Sequence, residues 1–394
     1  MKRAKPTQAT RNNNYGPEPE FGAADLVVNT PPNEQFLTLQ EIYQAARANL
    51  APGPWAYLMG GAETETTVLR IRHALDEIAF RPRVLRDVST IDSSATFLGQ
   101  RVRLPVMLAP IGGLESIVEG GAAAAARAAA EFGVPQMLSS VCQPGLEETA
   151  AAAKTVRVFQ LYVRGDDAWV DDFVRRAKAN GYCAFCLTVD VSMYSRRERD
   201  LLGRFIKPWR ARAAEGRRFQ AGLSWTQVKR FKDQHPDVPL IIKGVATAED
   251  AELCVEHGVQ VVYVSNHGGR QLDHGLGSTA VLPEVLKAVD GRAEVWVDGG
   301  FMRGTDVVKA IALGAKAVGI GRLTGLGLAA AGPTGLVRAL EILEDEIRTC
   351  LGLLGVTCYA ELTPRHLTKA PVVREADTFS AFPLTPGDTP PIAE

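Results

Sequence analysis

The sequence predicts one closed (β/α)₈ barrel, the TIM-barrel architecture, with an N-terminal helical extension. From Leu104 onward, eight short apolar runs recur, and an Ala- or Glu-rich helical stretch follows most of them. Runs that are apolar throughout are typical of parallel strands covered by helices. Eight strand–helix units in about 250 residues match a barrel in length. An open doubly wound sheet is the alternative, but no Gly-x-Gly-x-x-Gly segment follows the first strand.

The predicted strands mostly end in Pro, Ser, Asn, Asp or Gly, residues that commonly stop a strand. They span residues 105–110, 136–140, 157–163, 184–190, 239–245, 261–266, 294–300 and 317–322. Predicted helices between them include residues 121–132, 169–180, 248–257 and 305–313.

The barrel domain is predicted to span residues 37–381. It starts with an amphipathic helix over residues 39–50, which Pro52-Gly53-Pro54 would end. Residues 1–36 lack apolar periodicity and residues 382–394 are rich in proline, so both segments are predicted to be flexible tails.

Composition is that of an ordinary globular protein, with 46% hydrophobic and 23% charged residues in a length of 394. The net charge of −1 gives no global field that would favour nucleic acid or an acidic membrane. No uncharged apolar run of about 18 residues is present, and no apolar segment follows the basic N-terminus. We therefore expect no membrane span, no secretory signal and a cytoplasmic location.

Six irregularly spaced cysteines do not form a disulfide framework. Cys183 and Cys186 lie in the predicted strand 182–189, where side chains three positions apart point to opposite faces. We therefore expect no metal there, and interpret both as buried small side chains.

The longest connection, from Val191 to Val238, begins with the basic segment 196–218, which also contains Phe205, Trp209 and Phe219. A membrane-surface segment is one interpretation. We favour an active-site loop, because the charge elsewhere is balanced.

Polar residues concentrate at the carboxyl ends of the predicted strands, where active sites lie in such barrels. His267 ends a strand in a Gly-rich turn, and Asp190 is placed to hold its imidazole, so His267 is a predicted general base. Arg197 and Arg270 suit a carboxylate, which a guanidinium binds bidentately. The other polar residues at this rim are Gln160, Tyr162, Thr188, Lys243, Ser265, Asn266 and Asp298.

The last two strands predict a phosphate site. Gly299, Gly300 and Gly321 would let backbone N–H groups approach a phosphate, while Arg303 and Arg322 would supply charge. A phosphorylated substrate and a phosphate-bearing cofactor would both fit.

At these residues the sequence resembles the FMN-dependent 2-hydroxy-acid oxidase and dehydrogenase family, which includes glycolate oxidase, lactate oxidase, lactate monooxygenase, mandelate dehydrogenase and flavocytochrome b2. Residues 265–273, SNHGGRQLD, are nearly the family signature, and FQLY at 159–162, KGV at 243–245 and DGG at 298–300 match further. The similarity runs from about Leu37 to about Leu367. It implies FMN-dependent oxidation of an (S)-2-hydroxy acid to the 2-oxo acid, with molecular oxygen as acceptor and hydrogen peroxide as product. Many family members are homotetramers.

The resemblance also implies the role of each site residue. His267 would take a proton from the substrate and Asp190 would pair with it. Arg197 and Arg270 would hold the carboxylate with Tyr57 and Tyr162, and Lys243 would stabilise the reduced flavin. The remaining FMN contacts would be Pro110, Ile111, Gly112, Ser139, Gln160, Thr188, Ser265, Asp298, Gly300, Arg303, Gly321 and Arg322.

Four departures from the family pattern stand near this site. Met302 replaces an arginine that usually contacts the phosphate, which implies weaker FMN binding. Val141 stands where glycolate oxidase has a bulky aromatic residue, and Tyr194 replaces a smaller residue, so the substrate is expected to carry an aryl or longer alkyl side chain. Gly112 replaces an alanine that is found in many oxidases. A dehydrogenase or monooxygenase function within the same family is therefore an alternative.

Three further alternatives are weaker. Oxidation of a C–N bond would leave Arg197 and Arg270 without a carboxylate. A non-catalytic flavin sensor would not need His267 and Asp190. A flavin-free barrel enzyme acting on a sugar phosphate would be colourless.

Overall fold

The computed structural model describes residues 35–207, 216–377 and 380–384. Most of the predicted tail 1–36, Trp209 within the basic segment, and residues 385–394 of the predicted C-terminal tail lie outside these residues. Phe382, predicted to belong to that tail, is instead buried, with its ring stacked on Tyr43 at 5.1 Å.

Eight parallel strands form the predicted closed barrel. In chain order they are β4 (Val106–Leu108), β5 (Gln136–Ser139), β6 (Arg157–Leu161), β7 (Ala184–Thr188), β8 (Leu240–Val245), β9 (Val261–Val264), β10 (Glu294–Asp298) and β11 (Ala317–Ile320). Each pairs in parallel with the next, and β11 pairs with β4 to close the ring. Several strands end up to two residues before the predicted end, because their last polar residues turn into loops.

Helices cover the outside of the barrel. They are α1 (Leu39–Asn49), α2 (Pro52–Met59), α3 (Thr66–Asp76), α4 (Gly121–Phe132), α5 (Leu146–Ala152), α6 (Asp167–Ala179), α7 (Glu198–Leu202), α8 (Arg217–Ala221), α9 (Trp225–Gln234), α10 (Ala248–Glu256), α11 (Ser278–Val289), α12 (Gly304–Leu313) and α13 (Arg322–Leu354). Thr38 and Glu41 form a capping box at the start of α1, so orphan backbone N–H groups are satisfied there. Short 3₁₀ turns lie at Leu114–Ser116, Tyr359–Glu361 and Pro364–His366.

Two small sheets complete the fold. Strands β1 (Ile78–Phe80) and β12 (Leu367–Lys369) pair antiparallel, and β2 (Ala95–Phe97) pairs with β3 (Gln100–Val102). The second pair delivers Phe97 into the core, where its ring lies 4.4 Å from that of Trp296. The barrel interior is therefore filled by packed side chains.

The long helix α13 is apolar enough to meet a length-and-composition test for a membrane span. Most of the tested window is buried, however, and the helix is interrupted at Ala331 and Gly332, before Pro333. Among the described residues α13 is therefore best explained as a core helix of the barrel.

The two cysteines of the Cys-x-x-Cys segment differ in burial. Cys186 lies in β7 with no exposed surface, whereas Cys183 precedes the strand and is partly exposed. The strand begins at Ala184, the start of the predicted run 184–190, so Cys183 lies just before it and only Cys186 lies within it.

Candidate active site

A cavity of about 490 Å³ opens at the carboxyl ends of the barrel strands. It is the place at which the sequence predicts a site. The predicted residues that line it are Tyr57, Pro110, Ile111, Gly112, Tyr162, Arg197, Lys243, His267, Arg270, Asp298, Gly300, Gly321 and Arg322.

A second set of predicted residues lies at the same strand ends but is not among the described residues that line the cavity. These residues are Ser139, Gln160, Thr188, Asp190 and Ser265. The strand register explains the grouping, because Ser139 pairs with Gln160 and Thr188 pairs with Lys243. Except for Asp190, which is largely buried, these side chains are almost fully buried.

His267 is held by contacts on both sides of its ring. Its φ of 58° is left-handed, and Gly268 and Gly269 continue with positive φ, so the turn after β9 is tight. The ring atom Nδ1 lies 3.0 Å from Oδ1 of Asp190, and Nε2 lies 3.2 Å from the Tyr162 hydroxyl. An ionised carboxylate only accepts hydrogen bonds, so Nδ1 carries a proton and the neutral ring keeps its lone pair on Nε2.

The protonation states agree with this assignment. Burial lowers the pKa of His267 below its usual value, although Asp190 opposes the shift. Burial alone would raise the pKa of Asp190, but His267 and Lys243 lower it, so this carboxylate is ionised. Burial raises the pKa of Tyr162, so its hydroxyl is a donor to Nε2. A neutral imidazole with an acceptor atom at the cavity is suited to take a proton.

Lys243 is held at the cavity by a carboxylate and a hydroxyl group. Its Nζ donates to Ser265 Oγ at 2.7 Å and lies 3.2 Å from Oδ2 of Asp298. Burial alone would lower the pKa of Lys243, but Asp298 and Asp190 raise it, so the lysine is charged. A fixed cation at this position stabilises negative charge that develops nearby.

Arg197 and Arg270 enter the cavity from two loops and are linked to each other. Arg197 donates from Nε to the carbonyl of Arg270 at 3.1 Å and from Nη2 to Gln271 at 3.0 Å. Arg270 donates from Nη1 to the carbonyl of Gly60 at 2.7 Å. Among the described residues, their other guanidinium N–H groups have no hydrogen-bond partner, which leaves donors for a carboxylate.

Tyr57 reaches the cavity from α2, before the barrel begins. Its hydroxyl donates to the carbonyl of Gly112 at 2.7 Å, and the guanidinium of Arg270 lies 4.8 Å from its ring centre. Strand-end reasoning alone would not select Tyr57. Only the family resemblance identified it.

The predicted phosphate end of the cavity contains one of the two expected arginines. Arg322 lines it, with Nη2 donating to the carbonyls of Gly60 and Gly268 at 3.0 and 2.9 Å. Burial and the neighbouring Arg270 lower the pKa of Arg322 to about 9. A side chain at Gly321 would meet open space, so the backbone there is accessible.

The structure does not bring Arg303 to this cavity. Its guanidinium pairs with Glu346 and donates to the carbonyl of Ala381 at 3.3 Å. The backbone at Arg303 is extended, with φ −127° and ψ 154°, so neighbouring side chains point in opposite directions. Met302 therefore lines the cavity and Arg303 turns away from it.

Two residues with clear structural roles here were not predicted. Gln220 of α8 accepts from Val163 N at 2.7 Å and donates to the carbonyl of Thr188 at 2.8 Å, which fixes α8 beside the cavity. Lys207 is buried next to Tyr57 and Tyr194. Both residues lie in the long polar connection from Val191 to Val238. Nothing in the sequence distinguishes them from the exposed polar residues around them.

The buried polar groups fit a flavin mononucleotide. Both amide atoms of Gln160 and the Thr188 hydroxyl are buried without a hydrogen-bond partner among the described residues. Buried polar atoms are rarely left unsatisfied, so they indicate a bound polar group. A flavin ring edge offers donors and acceptors to Gln160 and Thr188, while Arg322 and the Gly321 backbone suit its phosphate.

Comparison with known proteins agrees with this site. A family model described as FMN-dependent dehydrogenase matches residues 46–369. Glycolate oxidase 1 of Zea mays is 40% identical over 363 residues, which cover 86% of this chain and 97% of that protein. Glycolate oxidase of Spinacia oleracea is 37% identical over 354 residues, covering 84% and 96%.

Solved structures of mandelate oxidase give the same result. The complex with (S)-2-phenylpropionate superimposes with a TM-score of 0.79 at 37% identity, covering 86% of this chain and all of that one. A mutant of mandelate oxidase in complex with (S)-mandelic acid gives a TM-score of 0.80 at 36% identity, with the same coverage. The chain belongs to the FMN-dependent dehydrogenase family.

Proposed function

We propose that the protein uses FMN to oxidise an (S)-2-hydroxy acid to the 2-oxo acid, with molecular oxygen as the electron acceptor. The observation that carries this proposal is the arrangement around His267. Its Nε2 atom is a proton acceptor at a cavity that Arg197 and Arg270 also line. A 2-hydroxy acid carries a carboxylate and an oxidisable CH–OH group on adjacent carbons, which matches this juxtaposition.

The residues divide the work between binding and proton transfer. Arg197 and Arg270 bind the carboxylate and so place C2 and its hydroxyl beside Nε2 of His267. His267 takes one proton, and Asp190 stabilises the resulting imidazolium. FMN, when bound, would supply the acceptor for the two electrons and for the second hydrogen that leave the substrate. Lys243, beside Asp298, provides the positive charge that favours this transfer.

The apolar part of the cavity lining favours a substrate larger than glycolate. Val141 leaves room on one wall, and Ile111, Val191 and Met193 add apolar surface. Tyr194 also lines this space. An aryl or longer alkyl side chain would bury apolar area here, whereas glycolate has no side chain to place.

The electron acceptor needs its own test, because Gly112 also suits dehydrogenases and monooxygenases. Holoenzyme in air should yield one 2-oxo acid and one hydrogen peroxide per (S)-2-hydroxy acid consumed. A carboxylic acid with one carbon fewer, formed with release of carbon dioxide, would indicate a monooxygenase. Product formation only with an added artificial acceptor would indicate a dehydrogenase.

Matched substrates test the role of the arginines in the same assay. The amide of the best acid keeps the CH–OH group and loses the charge, so its kcat/KM should fall by roughly a hundred-fold or more. Equal turnover of acid and amide would contradict carboxylate recognition. The homotetramer and the cytoplasmic location stay predictions, which size-exclusion chromatography with light scattering and cell fractionation would test.

A further inference from the structure

Lys207 is a buried lysine at the substrate end of the site. It follows helix α7, which begins directly after Arg197, and only 2% of its surface is exposed although Ile206 beside it is 72% exposed. Its Nζ lies 2.5 Å from Oδ2 of Asp200, which is also buried, and contacts the hydroxyl of Tyr194. Burying an ammonium group costs free energy, so this placement calls for a compensating role.

The ammonium group of Lys207 lies between two tyrosine rings. Its Nζ is 4.8 Å from the ring centre of Tyr57 and 5.0 Å from that of Tyr194. Each ring has an arginine as a second cationic neighbour. The guanidinium carbon of Arg270 lies 4.8 Å from the Tyr57 ring centre, and that of Arg197 lies 4.7 Å from the Tyr194 ring centre.

We propose that Lys207 is a positioning residue of the substrate site. Through Tyr57 it supports Arg270, and through Tyr194 it supports Arg197. Cation–π contacts of this kind are stronger when they are desolvated, as Lys207 is here. The proposal rests on the proposed function, because it takes these two arginines as the carboxylate site.

The positioning depends on the charge of Lys207 and therefore on pH. Burial and the charge of Arg197 lower the pKa of Lys207 to about 7, against the opposing effect of Asp200. Among the described residues, the charged or titratable groups that face Lys207 are Asp200, Tyr194, Arg197, Tyr57 and Arg270. As pH rises through about 7, Lys207 loses its proton, the cation–π contacts disappear and the positive potential at the carboxylate site falls.

Two substitutions of Lys207 separate charge from packing. Lys207→Met keeps much of the length and removes the charge, whereas Lys207→Arg keeps a cation whose ordinary pKa is well above that of lysine. We expect Lys207→Met to raise KM about ten-fold at pH ~6.5, with kcat changed less than about two-fold. The reason is that an interaction removed equally from the ground state and the transition state affects KM alone.

The pH profile is the readout that a purely structural lysine would not alter. In the wild type KM should rise between about pH 6 and about pH 9, in Lys207→Arg it should stay low, and in Lys207→Met it should be high and flat. The dissociation constant of the 2-oxo acid product, read from the flavin spectrum, should follow the same three profiles. Lys229→Met is the matched control, because Lys229 forms an exposed pair with Asp233 at 2.7 Å.

The proposal is overturned if Lys207→Met keeps the wild-type KM profile, or if Lys207→Arg repeats the wild-type rise. If one of the two Lys207 variants does not retain FMN, the pH profile of KM in the other variant, compared with that of the wild type, tests the proposal. Failure of the proposed function would look different, because then no 2-hydroxy acid would be oxidised by the wild type.

Discussion

The Nδ1 atom of His267 lies 3.0 Å from Oδ1 of Asp190. His267 lines the cavity and Asp190 does not, so the carboxylate acts on proton transfer through the imidazole. This contact fixes the tautomer in which Nε2 is the acceptor. It also stabilises the imidazolium that forms when His267 takes a proton.

Substituting Asp190 should therefore lower the rate with little effect on binding. Asp190→Asn keeps the shape but removes the negative charge, and we expect kcat to fall roughly 10²- to 10⁴-fold. Stopped-flow measurement of flavin reduction gives this rate directly. Asp237→Asn is the control, because Asp237 is an exposed partner of Lys178. Reduction at the wild-type rate in Asp190→Asn would rule out the assigned role.

The acid side of the pH profile should report the ionisation of His267. Burial lowers the pKa of His267, so a base that must be neutral loses activity only as the pH falls through a value below about 6.5. We expect kcat/KM to be independent of this group at neutral pH and to decline in acid. A decline centred above the ordinary histidine value would show that the pair with Asp190 outweighs burial.

Restoring an arginine at position 302 should strengthen FMN binding. Met302 lines the cavity and is only 4% exposed, and Arg303 is turned towards Glu346. A charge-assisted contact to the phosphate should lower the FMN dissociation constant of Met302→Arg about ten-fold or more. Titration of the apoprotein with FMN measures it, with Met302→Leu as the uncharged control. Equal affinity in all three proteins would show that Arg322 and the backbone suffice.

Filling the space at Val141 should shift the substrate preference towards small acids. Val141→Trp removes room from the cavity, so kcat/KM for a bulky acid should fall relative to glycolate by roughly ten- to two-hundred-fold. Val141→Leu should give an intermediate ratio. An unchanged ratio would place the substrate side chain elsewhere in the cavity.

The barrel was predictable because its strands carry a strong local signal. Helix α4 has the predicted bounds, and each barrel strand begins within one residue of the predicted start. The segment Arg157–Leu161 illustrates the reason. Its consecutive apolar residues Val158 and Phe159 point to opposite faces of the strand, and both are buried, as is typical of a strand in a helix-covered barrel. Its polar end, Gln160 and Tyr162, then marks the rim of the site.

Other features depend on tertiary contacts that a sequence does not display. Arg303 was assigned to the phosphate from its position after a Gly-Gly pair, but the extended backbone sends it to Glu346. Phe382 looked like part of a tail, and only its contact with Tyr43 reveals its burial. Lys207 gave no local signal, because its partners are spread from Tyr57 to Arg270.

The most direct test of the central claim is an anaerobic titration of the FMN-loaded protein with the two enantiomers of a 2-hydroxy acid, followed by flavin absorbance. Mandelate and a longer-chain alkyl acid suit the space at Val141. We predict that the (S)-acid bleaches the flavin stoichiometrically, that the (R)-acid does not, and that admitting air restores the colour. An oxidised flavin that persists with every (S)-2-hydroxy acid tried, in protein that retains FMN, would contradict the account.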